Sequence, residues 1–150
     1  MQLKYELLES ECIADCLPAA ERFHAIYEPG YAFDGDVFLR FWQSVFERGN
    51  GFIIVVRDDA NAVVGGIGGV LCSFLTSNAL NCVELFWWVN PELRGRVGLR
   101  LLTMFEETAK ALGAARVTMA YMEDSMPQKV KKLYDLYGYK AYEHHMIKDL

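Results

Sequence analysis

Apolar and polar residues change period several times along this chain. Leu3, Tyr5 and Leu7 alternate with polar neighbours, which predicts a short strand over 2–8 with those three on one face. Ser10 can cap a helix running toward Tyr27, which Pro18 must bend or interrupt. Glu28-Pro29-Gly30 then breaks the chain. Asp34 or Asp36 caps a second helix. Val37, Phe41, Val45 and Phe46 fall on it at helical spacing, and Gly49-Asn50-Gly51 ends it.

The β-branched run 52–56 predicts a buried strand, and Asp58-Asp59-Ala60-Asn61 a turn. A long strand follows over 63–75. Its four glycines mark a bulge or a place where something packs close to the backbone. A turn over 76–81 leads to an aromatic-rich strand over 83–89, stopped by Asn90-Pro91. The clearest helix spans 99–112, with Leu101, Phe105, Thr108, Ala109 and Leu112 on one face and Gly113 behind it. A strand over 116–121, a helix from Pro127 to Leu136 and a last strand over 139–147 complete the order β-α-α-β-β-β-α-β-α-β. That order predicts one mixed α/β domain over 1–150 with an antiparallel run in its middle.

Composition narrows the class. The chain has 150 residues, 53% hydrophobic and 23% charged, which excludes disorder and permits a sizeable core. Its net charge of −5 argues against nonspecific nucleic-acid binding and leans toward a cationic partner. The uncharged stretch 60–83 is broken by glycines and asparagines, so no membrane-spanning helix is expected there. The first residues are charged and lack a signal-peptide core, and the four cysteines lack zinc-type spacing. A cytoplasmic protein with reduced thiols is expected. His144 and His145 point to opposite faces if they lie on a strand, so no metal site is expected.

The segment 89–102 carries the chemistry. It is a strand end, a loop with Arg94, Gly95, Arg96 and Gly98, and a helix start. Free N–H groups at a helix N-terminus, glycines that admit close approach and arginine charge together make a pyrophosphate cradle. An ordinary solvated loop would read the same way. From these residues onward the chain resembles the GCN5-related N-acetyltransferases. Their acetyl-CoA loop, Gln/Arg-x-x-Gly-x-Gly/Ala, follows a strand ending in an apolar pair plus Val and often Pro. Trp87-Trp88-Val89-Asn90-Pro91-Glu92-Leu93-Arg94-Gly95 is similar to that approach. The loop then departs from the pattern: counted from Arg94, Val97 and Leu99 fill the small positions, and counted from Gly95, Arg100 fills the last. It also resembles Arg-Gly-Gly-Arg-x-Gly-Leu loops of phage-borne members, one glycine short. Downstream, Leu133-Tyr134-Asp135-Leu136-Tyr137-Gly138-Tyr139 is similar to the family's Leu-Tyr-x-x-x-Gly-Phe ending, although Pro127 stands where an Asn is often found.

The resemblance implies a single GNAT-like domain with a mostly antiparallel sheet flanked by helices. It implies acetyl transfer from acetyl-CoA to a primary amine, small or protein-borne, without metal. Trp87, Trp88, Val89, Arg94, Gly95, Arg96, Val97, Gly98 and Leu99 would hold the cosubstrate, and Tyr134 would be the general acid. A backbone N–H near Val89 could stabilise the oxyanion. Glu84, set between apolar neighbours, is the base candidate or else a salt-bridged strand residue; on unbroken alternation it shares a face with Phe86 and Trp88. His24, Tyr27, Tyr31 and Asp34 would border the acceptor. The competing reading is a silent module of the same fold that binds CoA or a protein partner, and apolar strand edges would admit a homodimer.

Overall fold

A computed structural model describes residues 1–123 and 126–150. The chain forms two compact units, 1–118 and 119–150.

The first unit is a five-stranded sheet in the order β1-β2-β3-β4-β5, with β1 Lys4–Leu7, β2 Gly51–Arg57, β3 Val63–Phe74, β4 Ser77–Val89 and β5 Ala114–Thr118. Neighbours are antiparallel except β4 and β5, which run parallel. Three helices complete the unit: α1 Leu17–Tyr27, α2 Gly35–Arg48 and α3 Arg96–Ala111. In place of one bent helix after Ser10, the chain makes a 3₁₀ turn over Ser10–Cys16 and begins α1 afresh with Pro18 in its first turn, where a missing N–H costs nothing. Asp34 caps α2 by accepting from the Asp36 and Val37 N–H groups at 2.9 and 3.2 Å. Gly49 closes the helix in the left-handed region at φ 65°.

Two stripes of α2 are apolar, and of the four expected positions Val45 and Phe46 pack on the core while Val37 and Phe41 do not. Trp42 and Val45 face the core with Phe38 beside them, whereas Val37 and Phe41 are 52% and 46% exposed. Trp42 wins because its ring fills the space above Gly68 and meets the Phe86 ring edge-on at 5.7 Å. Leu7 is likewise exposed, and its neighbour Leu8 is buried instead.

The glycines of β3 do what the sequence suggests. A Cβ on Gly68 would collide with Phe86 and Trp42, and one on Gly69 with Phe105 of α3. Between these two glycines the ladder slips by one residue. Gly68 pairs with Phe86 and Gly69 with Glu84, so Leu85 stands in a β-bulge. The turn expected over 76–81 shrinks to a tight connection, and β4 already begins at Ser77. The uncharged stretch 60–83 is therefore strand and turn, and among the described residues no helix is long and apolar enough to cross a membrane.

Arg57 is a buried charge with no local signature in the chain. It is 4% exposed, and its guanidinium donates to Glu6 at 2.7 Å, to Asp15 at 2.8 Å and to the Asn61 carbonyl at 3.1 Å. It ties β1, the 3₁₀ turn and the β2–β3 connection together.

The second unit holds α4, Pro127–Leu136, as expected. The last strand expected over 139–147 does not form. Its alternation is present, but a strand exists only within a ladder, and among the described residues 119–150 there is no other strand to pair with.

Candidate functional site

The end of β4 and the start of α3 build the cradle. Val89 is buried, Asn90 donates its N–H to the Val64 carbonyl at 2.9 Å, and Pro91–Leu93 make one 3₁₀ turn. Gly95 then turns the chain at φ 94° and ψ −113°, a conformation that side chains disfavour. The first α-helical bond of α3 runs from the Leu99 N–H to the Gly95 carbonyl at 3.1 Å. The N–H groups of Arg96, Val97 and Gly98 precede that bond, so they point out of the helix end with its partial positive charge behind them. Gly95, at the cap position, has no side chain with which to bond them.

Several residues named in the sequence analysis lie around this end. Val97 and Gly98 are buried, and Gly98 lies where a Cβ would touch the Trp87 indole at 3.5 Å. That glycine lets α3 start close against β4. The Trp88 indole donates to Asn90 Oδ1 at 3.3 Å and meets Phe23 edge-on. Arg94 bends back over the Trp88 ring, and its Nε donates to the Val89 carbonyl at 3.4 Å. Arg96 is exposed on the first turn, whereas Arg100 is spent on the Tyr5 ring at 4.2 Å. The shortened loop thus keeps a free helix end, a glycine turn and two arginines.

Alongside it, the β4–β5 ladder stops at Val83 and Thr118, and β4 runs on to Val89 past that last pair. β5 ends at that pair, while β4 continues to the start of the helix loop.

The bulge moves Glu84. Its partner Gly69 faces Phe105 of α3, so Glu84 lies on the α3 side of the sheet. Phe86 and Trp88 lie on the other side, with α1 and α2. The shared face expected from unbroken alternation is therefore wrong by one residue. On the α1–α2 side there is a cavity of about 240 Å³. Its floor is Gly66, Phe86 and Trp88, and its walls include Phe23, Phe38 and Trp42. Leu85 reaches it from the bulge, and the His24–Phe33 segment borders it. His24 Nε2 lies 2.8 Å from the Tyr31 carbonyl. A carbonyl only accepts, so Nε2 carries the proton and staples the α1–α2 connection. The sequence pointed to His24 and Tyr27 but not to Phe38, Trp42 or Leu85, whose common direction depends on packing.

In the second unit Tyr134 is 7% exposed. Its hydroxyl donates to the Ala120 carbonyl at 2.7 Å, and its ring packs on Tyr121 and Tyr139. All four cysteines are free, and the described residues contain no group of three or more His, Cys, Asp or Glu fit to hold a metal.

No curated protein matches the chain by sequence. Solved structures match its fold. A Trypanosoma brucei acetyltransferase superposes with a TM-score of 0.72 at 20% identity, covering 99% of this chain and 100% of its own. An aminoglycoside acetyltransferase from an uncultured soil metagenomic sample, in complex with sisomicin, gives 0.76 at 16% identity, covering 99% and 96%. A transcriptional regulator from Bacillus halodurans gives 0.78 at 14% identity, covering 99% and 100%. Residues 17–139 match the family model described as Acetyltransferase (GNAT) family, and the chain belongs to that family.

Proposed function

We propose that this chain is an N-acetyltransferase that moves an acetyl group from acetyl-CoA to a primary amine. The carrying observation is the N-terminus of α3 behind the Gly95 turn, with the stretch of β4 beyond its last pair with β5 leading into it. The residues suit the cosubstrate. The Arg96, Val97 and Gly98 N–H groups with the Arg94 and Arg96 charges would take the pyrophosphate. The β4 backbone beyond Val83 offers strand-like bonds to the pantetheine amides, with Trp87, Trp88, Val89 and Leu99 around them.

Acetyl-CoA supplies an activated thioester, so no metal and no nucleophilic side chain is required. The amine lone pair forms the N–C bond, and the C–S bond breaks with its electrons left on sulfur. The amine loses one proton and the thiolate gains one. Glu84 is the proposed base. Because the bulge turns it off the cavity face, it takes the proton through a bridging water. Tyr134 is the proposed acid, and in that role it exchanges its bond to the Ala120 carbonyl for one to sulfur.

That same bond favours a second reading, in which Tyr134 is a packing residue and the module binds CoA without turnover. Thermal unfolding with acetyl-CoA, ATP and NAD tests the first step. At about 100 times its dissociation constant a ligand adds roughly 2.7 kcal/mol, which raises the midpoint of a 150-residue domain by about 5–10 °C. A rise with acetyl-CoA alone supports the cradle. No rise, from protein that native mass spectrometry shows to be CoA-free, overturns it. Tyr134→Phe should then slow turnover and spare the acetyl-CoA shift; unchanged turnover removes the acid assignment.

A further inference from the structure

We infer that the acceptor is a small monoamine with an aromatic body, rather than an amino sugar or a polyamine. The inference rests on the acetyl-transfer reading and names the substrate class for it. It comes from the cavity between α1, α2 and the sheet. Aromatic rings of Phe23, Phe38, Trp42, Phe86 and Trp88 make up much of its wall and floor. Among the described lining residues only His24 and Glu28 can carry charge at neutral pH. One polar atom of His24 is already committed to the Tyr31 carbonyl.

A sugar or polyamine in this cavity would leave several hydroxyl or ammonium groups without partners, and each unmatched group costs affinity. A flat ring leaves none. Rings that meet edge-on, as Trp42 and Phe86 do here, leave faces and edges turned to the cavity on which a further ring can pack. Size agrees. A dry apolar cavity of about 150 Å³ takes up benzene. The 240 Å³ here therefore admits one ring with a short aminoalkyl chain. The bulge keeps this face apolar by sending Glu84 to the other side and Leu85 into the cavity.

The test uses 2-phenylethylamine, glucosamine and spermidine. Release of the CoA thiol and the mass of the acetylated product report turnover, and calorimetry reports amine binding separately. The expected kcat/KM for 2-phenylethylamine exceeds that for the two polar amines by at least about 100-fold. Ala20→Phe, which fills the cavity, should weaken its binding at least tenfold. Phe41→Ser, at a half-exposed wall position that folding tolerates, should raise its KM about tenfold with kcat kept. Circular dichroism melting confirms that each variant folds. Equal or faster turnover of glucosamine or spermidine overturns the inference and leaves acetyl transfer standing. If none of the three amines releases CoA, calorimetry decides the cavity. Binding of 2-phenylethylamine that Ala20→Phe or Phe41→Ser weakens supports it, and absence of binding overturns it.

Discussion

Gly69→Ala tests the closest approach in the core. The added Cβ would lie 2.7 Å from two ring carbons of Phe105 and 2.9 Å from the Val83 carbonyl oxygen, where ordinary contact begins at 3.4 Å. The methyl is thus about 0.7 Å too near the ring. Phe105 cannot retreat, because it is fully buried and packs on Phe52 at 5.2 Å between ring centres. The carbonyl cannot retreat either, because it belongs to the β3–β4 ladder. Overpacking of this kind costs about 1–3 kcal/mol. The unfolded chain loses freedom when Gly becomes Ala, which returns about 0.4–1 kcal/mol. The net loss is about 1–2 kcal/mol, a fall in midpoint of about 2–8 °C for a chain of this length. Circular dichroism melting reads it. Phe105→Leu should cost less in the Gly69→Ala background than alone, with a coupling of about 1 kcal/mol, because it vacates the contested space. Gly30→Ala, where nothing lies within 4 Å, should be neutral or slightly stabilising. An unchanged or raised midpoint for Gly69→Ala, or strict additivity with Phe105→Leu, refutes the reasoning.

Other outcomes follow from single groups. Gly95→Ala has open space for its methyl but the wrong backbone angles, so it should lose about 1–3 kcal/mol and shrink the acetyl-CoA midpoint shift. Arg57→Ala should lower stability in urea by about 1.5–3 kcal/mol, since Glu6 and Asp15 lose charged hydrogen bonds. Lys4 and then Arg57 hold the Glu6 carboxyl below its ordinary 4.5. Its contribution is therefore present above that pH and lost as pH falls through the lower folded value; Glu6→Gln should flatten the acid limb. Burial pushes the Cys16 thiol up to about 12 and the Cys82 thiol to about 11, while Cys72 is exposed. Iodoacetamide should label Cys72 first and reach Cys16 and Cys82 only on unfolding, as intact mass will show. Above pH 9 the unfolded thiols ionise and the buried ones do not, so stability should decline from pH 9 toward 12.

What the sequence showed was local. Caps, turn residues and helical period place α4 to the residue and the end of α3 within one, although α3 starts at Arg96, three residues before the expected Leu99; the glycines of β3 announce their close neighbours. What it hid was long-range. Arg57 finds its carboxylates 51 and 42 positions away, so no window of sequence holds the cluster. The α2 face is ambiguous because two stripes are apolar, and only the space above Gly68 chooses Trp42 over Phe41. The slip at Leu85 is set by rings pressing on Gly68 and Gly69 from opposite sides, so alternation along β4 could not reveal it. For the site, the cradle was readable as strand, glycine and helix, while the cavity needed α1, α2 and the sheet assembled.

Leu85 gives β4 two reading frames. Before it, Cys82 and Glu84 look one way and Val83 the other; after it, Trp87 and Val89 take the first direction and Phe86 and Trp88 the second. One uncounted residue sorts a carboxylate and a set of rings to opposite neighbours while leaving them almost adjacent along the chain. Removing Leu85 would leave Glu84 and Phe86 as consecutive residues that still face opposite ways, so the sorting would survive in a regular ladder. Drawing Leu85 into the ladder as an ordinary paired residue is what would undo it, because Glu84 would then share a face with Phe86 and Trp88 and the aromatic floor would be built around an acid. The chemistry of the two faces therefore depends on one residue staying outside the count.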